Sequence, residues 1–184
     1  MRQLTLVCGN FKEHGYMLRP RYRPGWKPAY NPKKVLEAMP FEDGQPMIHS
    51  DVMDALRMSD SLVVAFKRVK LSEARIATLF SNDINNLHPR NHCVRLLEVL
   101  PVPNEDDKKI LVMVWMRPVM NPRFRTVGEA IQFFTEMIEG LQYMHENNVA
   151  HRDCSINNMA MDANSMYPRP FHPMKPKKRY DWSH

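Results

Sequence analysis

The sequence predicts an α+β fold, with strands ahead of one long helix, and three stretches predict it. SLVVAFKRVK, residues 61–70, is short and rich in β-branched residues, which suit a pleated strand. KILVMVWM, residues 109–116, is a near-continuous apolar run of strand length, as a buried strand requires. In TVGEAIQFFTEMIEGLQYMHENN, residues 126–148, the apolar residues Val127, Ile131, Phe134, Ile138 and Leu141 step by four, three, four and three. That spacing is one face of a helix.

The other elements follow from local chemistry. DVMDALRMSD reads as a strand before SLVVAFKRVK, with Ser59, Asp60 and Ser61 turning the chain. LSEARIATLFSN, residues 71–82, suits a short helix with Ser72 as N-cap. CVRLLEVL, residues 93–100, reads as a strand that pairs with 109–116 across the proline-and-acid turn PVPNEDDKK. Residues 48–116 are thus expected to form a small, mostly antiparallel lobe with one short helix. Thr126 offers an N-cap to the long helix, Glu129 completes a capping box, and Asn147-Asn148 end it. The helix is expected to pack by its 127/131/134/138/141 face. NMAMD, residues 158–162, is a candidate short strand.

The two ends read differently. Residues 18–34 hold Pro20, Pro24, Pro28 and Pro32 among aromatic and basic residues, which favours extended chain. An arm lying across a domain is the expectation; stacking of Tyr22 and Trp26 on RNA is the alternative. Residues 163–184 are proline- and lysine-rich with little periodicity, and read as a loop or disordered end. KPKKR, residues 175–179, reads as a solvated end, with a nuclear localisation signal as the rival. The division expected is a basic extension over 1–47, a strand-rich part over 48–118, a helical part over 119–162 and a tail over 163–184.

Charge and composition exclude several classes. Of 26 basic and 20 acidic residues, 1–34 hold eight basic and one acidic, and 165–184 hold five and one. The remaining 13 basic and 18 acidic residues make the body mildly acidic, so a nucleic-acid binder is not expected. Three cysteines, Cys8, Cys93 and Cys154, form no paired spacing and point to a reducing intracellular compartment, cytoplasmic or nuclear. No run of about 18 apolar residues marks a membrane span, and no signal peptide is read at the start. His88, His92 and Cys93 crowd together, but His88-x-x-x-His92 alone is too little for zinc. Cys154 reads as a packing residue, and the 15 methionines as flexible core filler.

The chemistry lies in HRDCSINN, residues 151–158. An H-R-D-x-x-x-x-N loop behind a rigid helix has the spacing of phosphoryl transfer. There the Asp orients the attacking hydroxyl and the Asn reaches a Mg²⁺ ion bridging the phosphates. The positions are Asp153 and Asn158, with Arg152 beside them. VAFK, residues 64–67, matches a strand whose Lys pairs the α- and β-phosphates. Lys67 alternates with Phe66 and so faces away from that side chain. Glu73, six residues on, is either its partner or a first-turn Glu favoured by the helix dipole.

The order of strand, Lys, helix, two strands, helix and HRD loop is similar to that of a protein kinase up to its catalytic loop. GYMLRPRYRPGW, DALRMSDSLVVAFKRV, HPRNHCVRLLEVL, RTVGEAIQFFTEMIEGLQYMHENNVAHRDCSINNMAMD and MYPRPFHP together resemble a divergent group of protein-kinase-like proteins of mushroom-forming fungi. The resemblance runs from about Gly15 to the end and is strongest over 88–162. It implies a kinase-like fold, with a small β-rich N-lobe and the beginning of a helical C-lobe. It implies ATP and Mg²⁺ as cofactors and transfer to Ser or Thr of a protein, with Asp153, Asn158 and Arg152 catalytic. It also implies Lys67, Glu73, Met113 and Trp115 around the nucleotide, and Asn158 on the metal.

Four departures temper that implication. No glycine lies between Gly44 and Gly128, so the G-x-G-x-x-G phosphate loop is missing. The connection from Lys67 to Glu73 is short. Ser155 stands where a phosphate-contacting Lys is usual, which removes positive charge from the loop. No D-F-G follows Asn158, and the expectation is a chain truncated before that segment. The two function classes are therefore an ATP-dependent protein kinase in impaired form and a non-catalytic kinase-like binding module.

Overall fold

The computed structural model describes residues 8–19, 22–23, 25–28, 30–31 and 52–162. The expected start of the strand-rich part at 48–51, Pro20, Pro24 and Pro32 of the proline arm, and the tail with KPKKR lie outside these residues. Five strands form one antiparallel sheet: β1 (Tyr16–Leu18), β2 (Val52–Arg57), β3 (Val63–Lys70), β4 (Leu96–Val102) and β5 (Glu105–Val114), in the order β1-β2-β3-β5-β4. With its helices the molecule is mixed α and β, as the sequence predicts. No described helix is long and apolar enough to cross a membrane.

Strand alternation gives the sheet two apolar faces. On one, Phe66, Val64, Ile110 and Val112 are wholly buried and gather Met53, Ala55, Leu100 and Val102 around them. On the other, Val69 and Leu111 meet Ala74 of helix α2 (Leu71–Phe80). Lys67 falls on this second side, as its alternation with Phe66 requires.

The first third is less irregular than its sequence suggests. Helix α1 (Cys8–Glu13) delivers Phe11 against Phe66, with ring centres 4.8 Å apart. Tyr16 of β1 meets the same ring edge-on at 5.2 Å. The hydroxyl of Tyr16 then donates to Glu98 of β4 at 2.8 Å. β1 and β4 are opposite edges in the strand order, so this bond closes a curled sheet over its aromatic filling. Burial, reinforced by the Glu98 carboxylate, pushes the Tyr16 phenol up to about 12. Tyr22 is buried in the same cluster, which corrects the alternative that it stacks on RNA. The arm is pinned by Arg19 on Asp54 (2.5 Å) and by Arg23 Nε donating to the Leu18 carbonyl (2.8 Å).

Turns follow their residue chemistry with two adjustments. Ser61 takes φ 60°, and Arg57 clamps Asp60, holding that carboxyl down to about 2. Between β4 and β5 the turn is only Pro103-Asn104, because Asn104 adopts the left-handed region at φ 62°. Glu105 to Lys108, expected in the turn, therefore extend β5, and Arg68 pairs with Glu105. Ser72 does not cap α2. The strand runs straight into the helix, extended Lys70 occupies the cap, and no side chain bonds there.

Helix α3 (Asp83–Asn86) is capped by Asn82, whose Oδ1 accepts from the Asn85 N–H at 2.8 Å. Helix α4 (Val127–Glu146) has the predicted box: Glu129 N–H donates to Thr126 Oγ1, and Thr126 N–H to Glu129 Oε2. It ends as expected, with Asn148 at φ 59°. Its packing is not as expected. Val127, Ile131, Phe134 and Ile138 are 77%, 61%, 54% and 59% exposed. Periodicity specifies that a stripe exists, not that a neighbour covers it. The side that packs is centred on Tyr143, the one buried residue of α4.

That contact is polar and specific. The hydroxyl of Tyr143 donates to Asn85 Oδ1 at 2.6 Å, and Asn85 Nδ2 donates to the Leu79 carbonyl at 2.8 Å. His88 stacks on the Tyr143 ring at 4.3 Å, and Arg90 makes two bonds to Glu146 at 2.9 and 2.7 Å. Gly140 admits His92: a Cβ there would lie 3.2 Å from His92 Cβ. Tyr143→Phe is expected to lower stability by about 1–3 kcal/mol, because it strands the buried Asn85 oxygen. Urea unfolding followed by circular dichroism checks it, and an unchanged midpoint would show the bond to be dispensable.

Candidate catalytic loop and lysine site

Two pairs of side chains stand where the sequence places chemistry. The first joins sheet to helix. β3 ends at Lys70 and α2 starts at Leu71, so Glu73 lies in the first turn and faces back along the strand. Lys67 Nζ meets Glu73 Oε1 at 2.7 Å. The two sequence readings of Glu73 are thus compatible: it is both a first-turn acid and the lysine's partner. Both side chains are substantially exposed, so the pair adds about 1 kcal/mol at most to stability. Its value is positional, since it fixes where the ammonium points.

The second pair lies in the loop after α4. Asn148 (φ 59°) and Arg152 (φ 66°) both take the left-handed region, which costs a non-glycine residue energy and bends the chain sharply. The Asp153 N–H donates to His151 Nδ1 at 3.3 Å. Residues Ile156–Asn158 then form a 3₁₀ turn. It swings Asn158 back, so that Nδ2 donates to Asp153 Oδ2 at 2.7 Å and to the Asp153 carbonyl at 3.0 Å. The five-residue offset read from the sequence is therefore a closed hydrogen-bonded loop. Because the Asn158 nitrogen is turned to Asp153, its carbonyl oxygen is the atom suited to a cation. Among the described residues, no three His, Cys, Asp or Glu side chains cluster to hold a metal ion.

The loop is anchored at its far end. Strand β7 (Ala160–Met161), within the predicted 158–162, pairs antiparallel with β6 (Arg117–Pro118), Arg117 opposite Met161. Arg117 is buried, and its Nε donates to the Asn121 carbonyl at 3.3 Å. The remaining candidates occupy the run from β5 into β6. Met113 lies opposite Ala65 and Leu96 and packs on the cluster under α2. Trp115 follows the strand end, half-buried. Arg152 is exposed. Among the described residues, no hydrogen bond or ion pair links the Lys67–Glu73 pair to the Asp153–Asn158 pair.

Sequence reasoning missed Asn85 and Tyr143, which join the helix carrying the loop to the helix carrying Glu73. Their signal was faint: Asn82 and Asn85 at N-cap spacing, and one tyrosine off the apolar stripe of α4.

With this geometry in view, the chain can be set beside known proteins. No protein-family model matches it. It is 29% identical over 105 residues to the Probable serine/threonine-protein kinase MARK-C of Dictyostelium discoideum. The match covers 53% of this chain and 14% of that relative, so the chain spans a small part of the relative's length. The match supports a kinase-like relationship.

The loop also holds one of two cysteines with contrasting surroundings. Cys154 is exposed, which corrects its reading as a packing residue, whereas partial burial pushes the Cys93 thiol up to about 11. Thiolate is the reactive form, so Cys93 is expected to resist iodoacetamide at neutral pH while Cys154 is alkylated. Peptide mass mapping after a short exposure checks this, and equal labelling of the two would contradict the burial of Cys93.

Proposed function

We propose that this chain is a protein-kinase-like domain that binds Mg²⁺·ATP weakly and transfers phosphate poorly or not at all. The single observation that carries the reading is the Lys67–Glu73 ion pair, made from the central strand β3 to the helix that follows it. In phosphoryl transfer by kinases, such a pair sets the lysine on the α- and β-phosphates. The strand order β1-β2-β3-β5-β4, with that helix against one face, fits a kinase N-lobe. The interlocked Asp153 and Asn158 fit a catalytic loop. On this reading Asp153 would orient a protein Ser or Thr hydroxyl, Asn158 would hold Mg²⁺, and Met113 and Trp115 would flank the nucleotide. The affinity of the motifs to kinase-like proteins of mushroom-forming fungi is part of the same proposal.

The weakness of transfer follows from residues around the phosphate site itself. Ser155 supplies no positive charge to the transferring group, and no glycine between Gly44 and Gly128 lets backbone amides approach the phosphates. These departures favour a binding module over an efficient enzyme.

Thermal shift with Mg²⁺·ATP, beside a radiolabelled phosphotransfer assay, tests both halves. The expected result is a small rise in melting temperature that Lys67→Ala removes, with at most trace transfer to a general protein substrate. No shift for the wild-type chain would refute the nucleotide site. Robust transfer abolished by Asp153→Ala would show a competent enzyme instead, and transfer surviving that change would point to a contaminating kinase.

A further inference from the structure

We propose that Arg19 is a phosphate-contacting residue of this chain, set on the same face of the sheet as Lys67. It does with a side chain what a glycine loop does with backbone amides. The proposal rests on the reading of Lys67 as a nucleotide-binding residue, and it names that site's second cation. The placement follows from strand register. Asp54 of β2 pairs with Ala65 of β3, and Val52 pairs with Lys67. Met53 and Ala55 are buried with Phe66, so Asp54 between them points to the other side, where Lys67 lies. Lys67 is two residues beyond Ala65, which makes it a diagonal neighbour of Asp54, about 7–8 Å away by strand geometry. Leu18 is also buried with Phe66, which turns the next residue, Arg19, outward over Asp54. Arg19 Nε and Nη2 both reach Asp54 Oδ2 at 2.5 Å.

The chemistry of the neighbouring chain favours a phosphate. β1 ends at Leu18 and β2 begins at Val52, so Arg19 opens the segment that joins them. That segment has no G-x-G-x-x-G, but over residues 19–34 it holds six basic residues and no acid. Its attraction for an anion therefore resides in side chains. The two side chains of the pair keep 22% and 15% exposure, so a ligand reaches them without opening the core. Each cation on this face has its own carboxylate, Glu73 for Lys67 and Asp54 for Arg19, which fixes its direction. A phosphate fits the same guanidinium fork as Asp54 and, with Lys67 beside it, meets two cations where Asp54 meets one. Asp54 is thus a competitor as well as a holder. Its removal has a sign that a mere structural strut does not predict.

Isothermal titration of the full 184-residue chain with Mg²⁺·ATP tests it, with thermal unfolding by circular dichroism as the measure of fold. Arg19→Gln is expected to weaken ATP binding about tenfold, the worth of one charge-assisted hydrogen bond. Arg19→Lys should recover part of that loss, since it keeps the charge and loses the fork. Asp54→Asn should tighten binding, although it lowers the melting temperature by breaking the ion pair. Were Arg19→Gln unfolded, Asp54→Asn would carry the test alone. No binding by the wild-type chain would refute the nucleotide site and this assignment with it. Wild-type binding that Arg19→Gln leaves intact, or that Asp54→Asn leaves unchanged or weakens, would overturn the assignment alone and leave Arg19 a strut of the arm.

Discussion

The hydrogen bond from Tyr143 to Asn85 is the constraint on which the site depends. Asn85 is a buried polar residue with both side-chain ends engaged: Nδ2 donates to the Leu79 carbonyl and Oδ1 accepts from Tyr143. Its own carbonyl accepts from Asn91 Nδ2 and from the His88 N–H. Such a network is stable only when all its members are satisfied, since a stranded buried group costs about 1–3 kcal/mol. Through it α4, which carries the Asp153 loop, is fixed to the segment that follows α2, which carries Glu73. The ion pair of Arg90 with Glu146 lies at the surface and adds little by itself. Its contribution is to fix the rotation of α4, which a single bond cannot do.

A second closure sets the other half. The curled sheet holds Phe66 without exposure, with Phe11 and Tyr16 packed on its ring and Glu98 bonded from the far edge. Phe66 and Lys67 are adjacent, so the burial of one fixes the direction of the other. The aromatic cluster thereby aims the lysine at α2. The exposed ion pair adds only the last adjustment. Stability and site geometry share residues here, but the energy comes from the apolar side.

Much of this was legible in the sequence, for reasons that differ by element. β3 and β5 announce themselves through the β-branched and apolar runs that a buried strand needs, α4 through its period, and the box of Thr126 with Glu129 marks the start of α4 through local bonds alone. The loop from Asp153 to Asn158 was legible as a motif through its fixed offset, which a hydrogen bond between the two residues closes. Long-range partners were not. Nothing in Tyr16 says that it meets Glu98, 82 residues away. The 127/131/134/138 stripe shows the limit most directly, since a period reveals an apolar face but is silent about what it meets. Ser72 failed as a cap because a strand flows into α2 without a break.

The claim that the Asn85–Tyr143 junction couples α4 to the sheet is tested most directly by hydrogen exchange. In the wild-type chain, amides of β3, β5 and α4 should open together, with one common protection. In Asn85→Ala, α4 and the loop to Asn158 should exchange faster while β3 and β5 keep their protection. If α4 stayed as protected as before, or if all three lost protection equally, the junction would not be the coupling element.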